Sequence, residues 1–186
     1  MNKKTLFSAL ITLFFIVFTA TSYAGTTQTP NTPISDTVIT TSILAQYQKN
    51  PLLMPAGIDV TTKNGKVTLS GTVNSNMQAD QAVIIAEATD GVNKVDGSNL
   101  KVKDSTAPMT DTLITAQIKG LLLKYKIVNG DDASFWPIHV ETKNGVVYLT
   151  GTVPNRPQKG DVIGIAKTVD GVKSVKSDLK VVKKNQ

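Results

Sequence analysis

The single histidine, His139, stands two residues before Glu141, and a His near a carboxylate is the raw material of general acid/base or metal chemistry. Alternation with Ile138 and Val140 places both on the polar face of a strand, where nothing else converges on them. There is no Cys anywhere, which excludes thiol nucleophiles, zinc-thiolate sites and disulfides. Gly65 and Gly71 flank a strand instead of opening a helix, so they do not read as a phosphate-cradling loop. No nucleophile, base and orienting group come together, so the chain is read as a non-enzyme with no catalytic residue, no metal ligand and no cofactor.

The chemistry that remains is recognition. Five Lys against six acids leave 35–102 at net −1, whereas eleven Lys and one Arg against seven acids give 110–186 a net +5. A positive field on one half favours anionic partners such as lipid head groups. The same half holds an apolar surplus. Leu113 and Leu123 lie off the helical stripe of Ile114, Ile118, Leu121 and Tyr125, Leu122 sits at its margin, and Lys119, Lys124 and Lys126 are close by. Leucines mixed with long lysine stems suit a membrane interface. Phe135 and Trp136, just before Pro137, add aromatic rings of the kind that favour a boundary between apolar and wet surroundings. These eight residues, Leu113, Lys119, Leu122, Leu123, Lys124, Lys126, Phe135 and Trp136, form the candidate lipid or partner surface. The competing reading is that the same side chains cover a seam between two modules.

Export argues against nucleic acid as a partner. Lys3 and Lys4 precede an apolar run from Leu6 to Phe18 that ends at Ser22, Tyr23 and Ala24, the three regions of a secretory signal, with cleavage expected after Ala24. The run is shorter than the ~20 residues a membrane span requires. Without a Cys at the cleavage point the product is not expected to be a lipoprotein, and a cysteine-free exported chain suits the bacterial periplasm.

The elements that position these residues come in two copies. Asp36 to Thr40 recurs as Asp111 to Thr115, Thr62 to Gly65 as Thr142 to Gly145, Ser70 to Val73 as Thr150 to Val153, and Asp90 to Val92 as Asp170 to Val172. In each copy a helix capped at Ser35 or Thr110 leads into two alternating strands joined by Asn64 and Gly65, or by Asn144 and Gly145. A second helix then ends at Gly91 or Gly171, before a closing strand over 92–102 or 172–182. Its inner face is read as Ala82, Ile85, Ala86 and Thr89 in the first copy, and as Val162, Ile165, Ala166 and Val169 in the second. The fold class is therefore α+β: two tandem αββαβ modules, each a three-stranded sheet with two helices on one face. The organisation reads as signal peptide 1–24, polar lead-in 25–34 without structure of its own, first module 35–102, linker 103–109 and second module 110–186. Asn64, Gly65, Gly71, Gly91, Asn144, Gly145, Gly151 and Gly171 are the structural motif positions.

The order of helix, Asn-Gly hairpin, Ser70–Val73 or Thr150–Val153 segment, second helix and Gly-Val pair resembles the BON domain, in both copies. That resemblance implies an envelope protein, often of osmotic or other envelope stress, that contacts phospholipid surfaces and supports outer-membrane integrity. The alternative it implies is a periplasmic chaperone or scaffold for outer-membrane protein biogenesis.

Overall fold

The computed structural model describes residues 33–54, 56–104, 109–128 and 137–182. The export segment, most of the linker and the insertion carrying Phe135 and Trp136 lie outside them. Helix α1 (Asp36–Lys49) starts at Ser35, whose hydroxyl accepts the Val38 amide, and carries Asp36 in its first turn, where a negative charge suits the helix dipole. Strands β1 (Gly57–Lys63) and β2 (Lys66–Val73) form an antiparallel hairpin closed at the pair Lys63 and Lys66. Asn64 and Gly65 both take positive φ, at 53° and 73°, which is what a two-residue hairpin turn with the right twist demands. Helix α2 (Asn76–Ala88), capped by Ser75, crosses back, and β3 (Lys94–Val102) joins parallel to β2.

The second module repeats the plan with α3 (Thr110–Val128), β4 (Ile138–Lys143), β5 (Val146–Val153), α4 (Arg156–Thr168) and β6 (Ser174–Val181). Each sheet has its hairpin's second strand in the middle, in the orders β1-β2-β3 and β4-β5-β6. Thr110 lies in the first turn of α3, one position inside where a cap would stand. The copies differ in their last strand. Between Thr68 and Ser70 the pairing to β3 shifts register, so Gly97 and Ser98 bulge where β6 runs regularly through Ser177.

Each module has its own core. In the first, Ile39 and Ile43 of α1 and Ala82 and Ala86 of α2 close over Val67, Leu69 and Val73 of β2. Tyr47 is buried beside them and its hydroxyl donates to the Ala82 carbonyl at 2.8 Å. In the second, Ile114, Ile118 and Leu122 with Val162 and Ala166 cover Val147, Leu149 and Val153. The apolar stripe of α3 holds at Ile114 and Ile118 and departs from the sequence reading only in its last turns, where Leu122 is in the core and Leu121 and Tyr125 are half-buried at its edge.

Helix α2 has two buried faces. Ala82 and Ala86 meet the sheet, while Val83 and Glu87 are also buried although they lie off the expected inner face, and Ile85, expected on it, is only half-buried. The second face is covered by α3, so the modules are packed against each other, and all described residues fall in one unit that begins at Pro33.

Candidate functional site

The two modules meet where α3 lies against α2 and β3. Ala116 is fully buried as a member of the first module's core cluster, and Leu113 and Met109 pack against that cluster. Leu113 fills the space beside Gly97, where an added Cβ would come 2.9 Å from its side chain. Gly120 allows the helices their close approach, because a Cβ there would press on the Glu87 side chain and come 3.0 Å from the Ile84 carbonyl oxygen.

Polar groups frame this contact. Lys119 Nζ lies 3.0 Å from the Asp80 carboxylate, Gln117 Nε2 donates to the Val95 carbonyl at 2.6 Å, and Lys124 Nζ donates to the Val92 carbonyl at 2.6 Å. Lys94 closes the far side as an ion pair with Asp170. Beneath it Glu87, Gln117, Leu121, Val169 and neighbouring residues line a cleft of about 220 Å³. Glu87 is 4 % exposed, and burial pushes its carboxyl up to about 7, opposed by the Val95 amide it accepts from and by the nearby Lys124 and Lys94 ammonium groups.

This geometry redistributes the surface expected of α3. Leu113, Lys119 and Lys124 face the first module, Leu122 is core, Lys126 is buried and Leu123 is half-buried, so none of the six presents a free lipid-facing stripe. The physical reason is that a helix between two cores has two buried faces, and residues off one stripe belong to the other. Phe135 and Trp136 lie outside the described residues. His139 is exposed on β4, opposite Thr150 of β5, and Glu141 is exposed beside Tyr148. Among the described residues no group of three His, Cys, Asp or Glu side chains could hold a metal ion, and no helix is long and apolar enough to cross a membrane.

Sequence reasoning also passed over two features. Asp36 and Asp111, read as helix-dipole charges, each clamp a hairpin turn as well: Asp36 accepts the Asn64 and Gly65 amides at 2.7 and 2.9 Å, and Asp111 accepts those of Asn144 and Gly145 at the same distances. Their recurrence ahead of each Asn-Gly pair, 28 residues before Asn64 and 33 before Asn144, was the available signal. The other is the outer face of the second sheet, where Lys176 lies 5.3 Å from the centre of the Tyr148 ring and Lys180 follows on the same side. The matching register position in the first sheet is Asp96, which pairs with Lys66 at 3.1 Å.

Such an arrangement defines a protein of two tandem α+β modules, each a three-stranded sheet with helices packed on it. The BON domain model matches residues 35–104 and 110–183, and the chain belongs to the BON domain family. It is 39% identical over 152 residues to osmotically-inducible protein Y of Escherichia coli, covering 79% of this chain and 73% of that one. It is also 28% identical over 159 residues to outer membrane lipoprotein DolP of Haemophilus influenzae, covering 84% of this chain and 79% of that one. The structure of CdsD, a structural protein of the type III secretion system of Chlamydia trachomatis, aligns over 78% of this chain and 92% of its own at 15% identity and a TM-score of 0.33, too low to bear on fold or function.

Proposed function

We propose that this chain is an exported periplasmic protein of the osmotic or envelope stress response that binds anionic phospholipid through its second module and so supports outer-membrane integrity. Its relation to osmotically-inducible protein Y and to an outer membrane lipoprotein supports the setting. The observation that carries the binding mode is the outer face of the second sheet. There Lys176 and Lys180 stand exposed on the same face as the half-buried Tyr148, with the exposed Val182 just past the end of β6. Cationic stems, an aromatic ring and an exposed aliphatic group together suit an anionic interface, although Glu141 and Asp178 temper the charge on that face. The lipid surface is thereby moved from α3 to β6.

Because α3 also closes the first module's core, the test uses the full chain. Flotation with phosphatidylglycerol-containing vesicles is expected to carry the protein up, phosphatidylcholine vesicles are not, and K176E with K180E is expected to abolish the effect. Equal flotation with both lipids, none with either, or an unaffected double variant would overturn the reading.

A second reading, a chaperone or scaffold for outer-membrane proteins, is favoured by the open edges of the sheets: among the described residues no further strand pairs with β1, β4 or β6. An extended segment could add to such an edge. It predicts delayed aggregation of an outer-membrane protein diluted from urea, and unchanged aggregation kinetics would remove it.

A further inference from the structure

Both hairpins turn on an Asn-Gly pair, and Asn is a chemically labile residue whose rearrangement is easiest when glycine follows, because no side chain then shields the next amide nitrogen. The Gly65 nitrogen can attack the Asn64 side-chain carbonyl carbon. An N–Cγ bond forms, the Cγ–Nδ2 bond breaks, and the Gly65 amide proton leaves with the Asn64 amino group as ammonia, so that a five-membered succinimide remains. Water then opens the ring at one of its two carbonyls and leaves aspartate or isoaspartate at position 64. Asn144 and Gly145 carry the same reactive groups.

The fold cannot easily give up either pair. Besides its positive φ, Gly65 is crowded: a Cβ there would press into the Asn93 side chain and come 3.0 Å from the Gly91 carbonyl oxygen. At Gly145 a Cβ would come 2.9 Å from the Gly171 carbonyl oxygen. Asn64 and Asn144 hold φ at 53° and 55°, a region Asn enters more readily than most residues. Both are exposed, so water reaches them. The reaction therefore has to be restrained where it stands, and each turn has one half-buried acid placed to do so. Asp36 Oδ1 accepts the Gly65 amide at 2.9 Å while Oδ2 accepts that of Asn64 at 2.7 Å, and Asp111 repeats both bonds on Gly145 and Asn144.

The nitrogen that attacks must first give up its proton. A carboxylate is far too weak a base to take a proton from an amide, and a negative charge at hydrogen-bond distance makes the deprotonated nitrogen costlier still. The paired bonds also hold the turn against the rotation that would carry the Gly65 nitrogen onto Asn64 Cγ. We infer that Asn64 and Asn144 are latent deamidation sites and that Asp36 and Asp111 guard them, each carboxylate suppressing succinimide formation in its own turn. Where the guard fails, isoaspartate adds a methylene to a two-residue turn closed at Lys63 and Lys66 and puts a new negative charge next to Asp36, so the hairpin comes loose from α1. The inference is independent of lipid binding.

Two guarded turns in one chain supply the control for each other. The full-length parent, Asp36→Asn and Asp111→Asn are incubated at mildly alkaline pH, and aspartate and isoaspartate at each Asn are followed by peptide mapping with mass spectrometry. Site resolution matters because a third pair, Asn129 and Gly130, lies outside the described residues. The substitution keeps the side chain's size and one acceptor oxygen and removes its charge. Asp36→Asn is expected to speed deamidation at Asn64 several-fold and to leave Asn144 at the parental rate, and Asp111→Asn to do the reverse. In the parent both sites are expected to react many-fold more slowly than in the same chain held in urea. An Asn64 rate unchanged by Asp36→Asn, an equal rise at both sites in either variant, as general loosening would give, or a parent that reacts as fast folded as unfolded would overturn the inference.

Discussion

The carboxylate of Asp36 accepts the Gly65 amide at 2.9 Å, tying the first turn of α1 to the hairpin turn 29 residues later. The Asn64 amide shares that carboxylate, so one side chain satisfies two turn donors while it complements the helix dipole. Asp36→Ala leaves both donors without their partner, and hydrogen bonds to a charged group are worth about 1.5–3 kcal/mol each at most. Because Asn64 is exposed and water can replace part of what is lost, a destabilisation of about 2 kcal/mol is expected in urea unfolding. Asp111→Ala is expected to match it, as its distances to Asn144 and Gly145 are the same. A loss within a few tenths of zero for either variant would show that the clamp contributes no stability.

Gly120 sets the distance between the modules. A β-branched side chain there meets the Ile84 backbone and the Glu87 side chain, neither of which has room to move within a packed helix. Gly120→Val is expected to cost about 2–3 kcal/mol. It is also expected to split one cooperative calorimetric transition into two, as each module retains its own core but loses the shared face. A single transition with unchanged enthalpy would mean that Gly120 does not control the coupling between the modules.

Why the sequence reveals the modules but not their contact follows from these residues. Within a module, Asn64 with Gly65 and the alternation of Val67, Leu69 and Val73 are local signals, each matched to one element and one core. The contact between modules has no period of its own. Leu113, Ala116 and Gly120 fall on a second face of α3, and nothing in the sequence distinguishes a leucine turned to a neighbouring module from one turned to lipid. Val83 and Glu87 are equally silent, because a helix read for one buried stripe assigns its other faces to solvent. The lysines misled for a related reason. Lys119 and Lys124 look like an interfacial fringe, yet their long stems reach Asp80 and the Val92 carbonyl across the contact.

Tyr47 reports on the interior of the first module. Its phenol is pushed up by burial and donates to the Ala82 carbonyl, which also lies within α2. Tyr47→Phe removes the hydroxyl and keeps the ring, so a loss of about 1 kcal/mol is expected, whereas Tyr47→Ala empties the site and is expected to cost about 3–5 kcal/mol. Equal losses for both variants would assign all of the stabilisation to the hydrogen bond and none to the ring.

Glu87 makes the contact between modules sensitive to pH. It is held by α2 and faces the Val95 amide and Lys94 from the β3 side, Lys124 and Gln117 from α3, and Asp170 across the cleft. With its carboxyl raised from 4.5 to about 7 in the folded protein, folding favours the protonated form. Below about pH 4.5 both states are protonated and the full stability is present; as pH rises through the window to about 7 the unfolded chain ionises freely while the buried group resists. Stability therefore falls across that window and levels above it, by about 3 kcal/mol at most. Glu87→Gln keeps the shape without the charge, so its unfolding free energy is expected to lack this decline and to exceed that of the parent at pH 8. Denaturant titrations from pH 4 to 8 measure the difference, and parallel curves for the two proteins would show that the Glu87 carboxyl titrates alike in the folded and unfolded states.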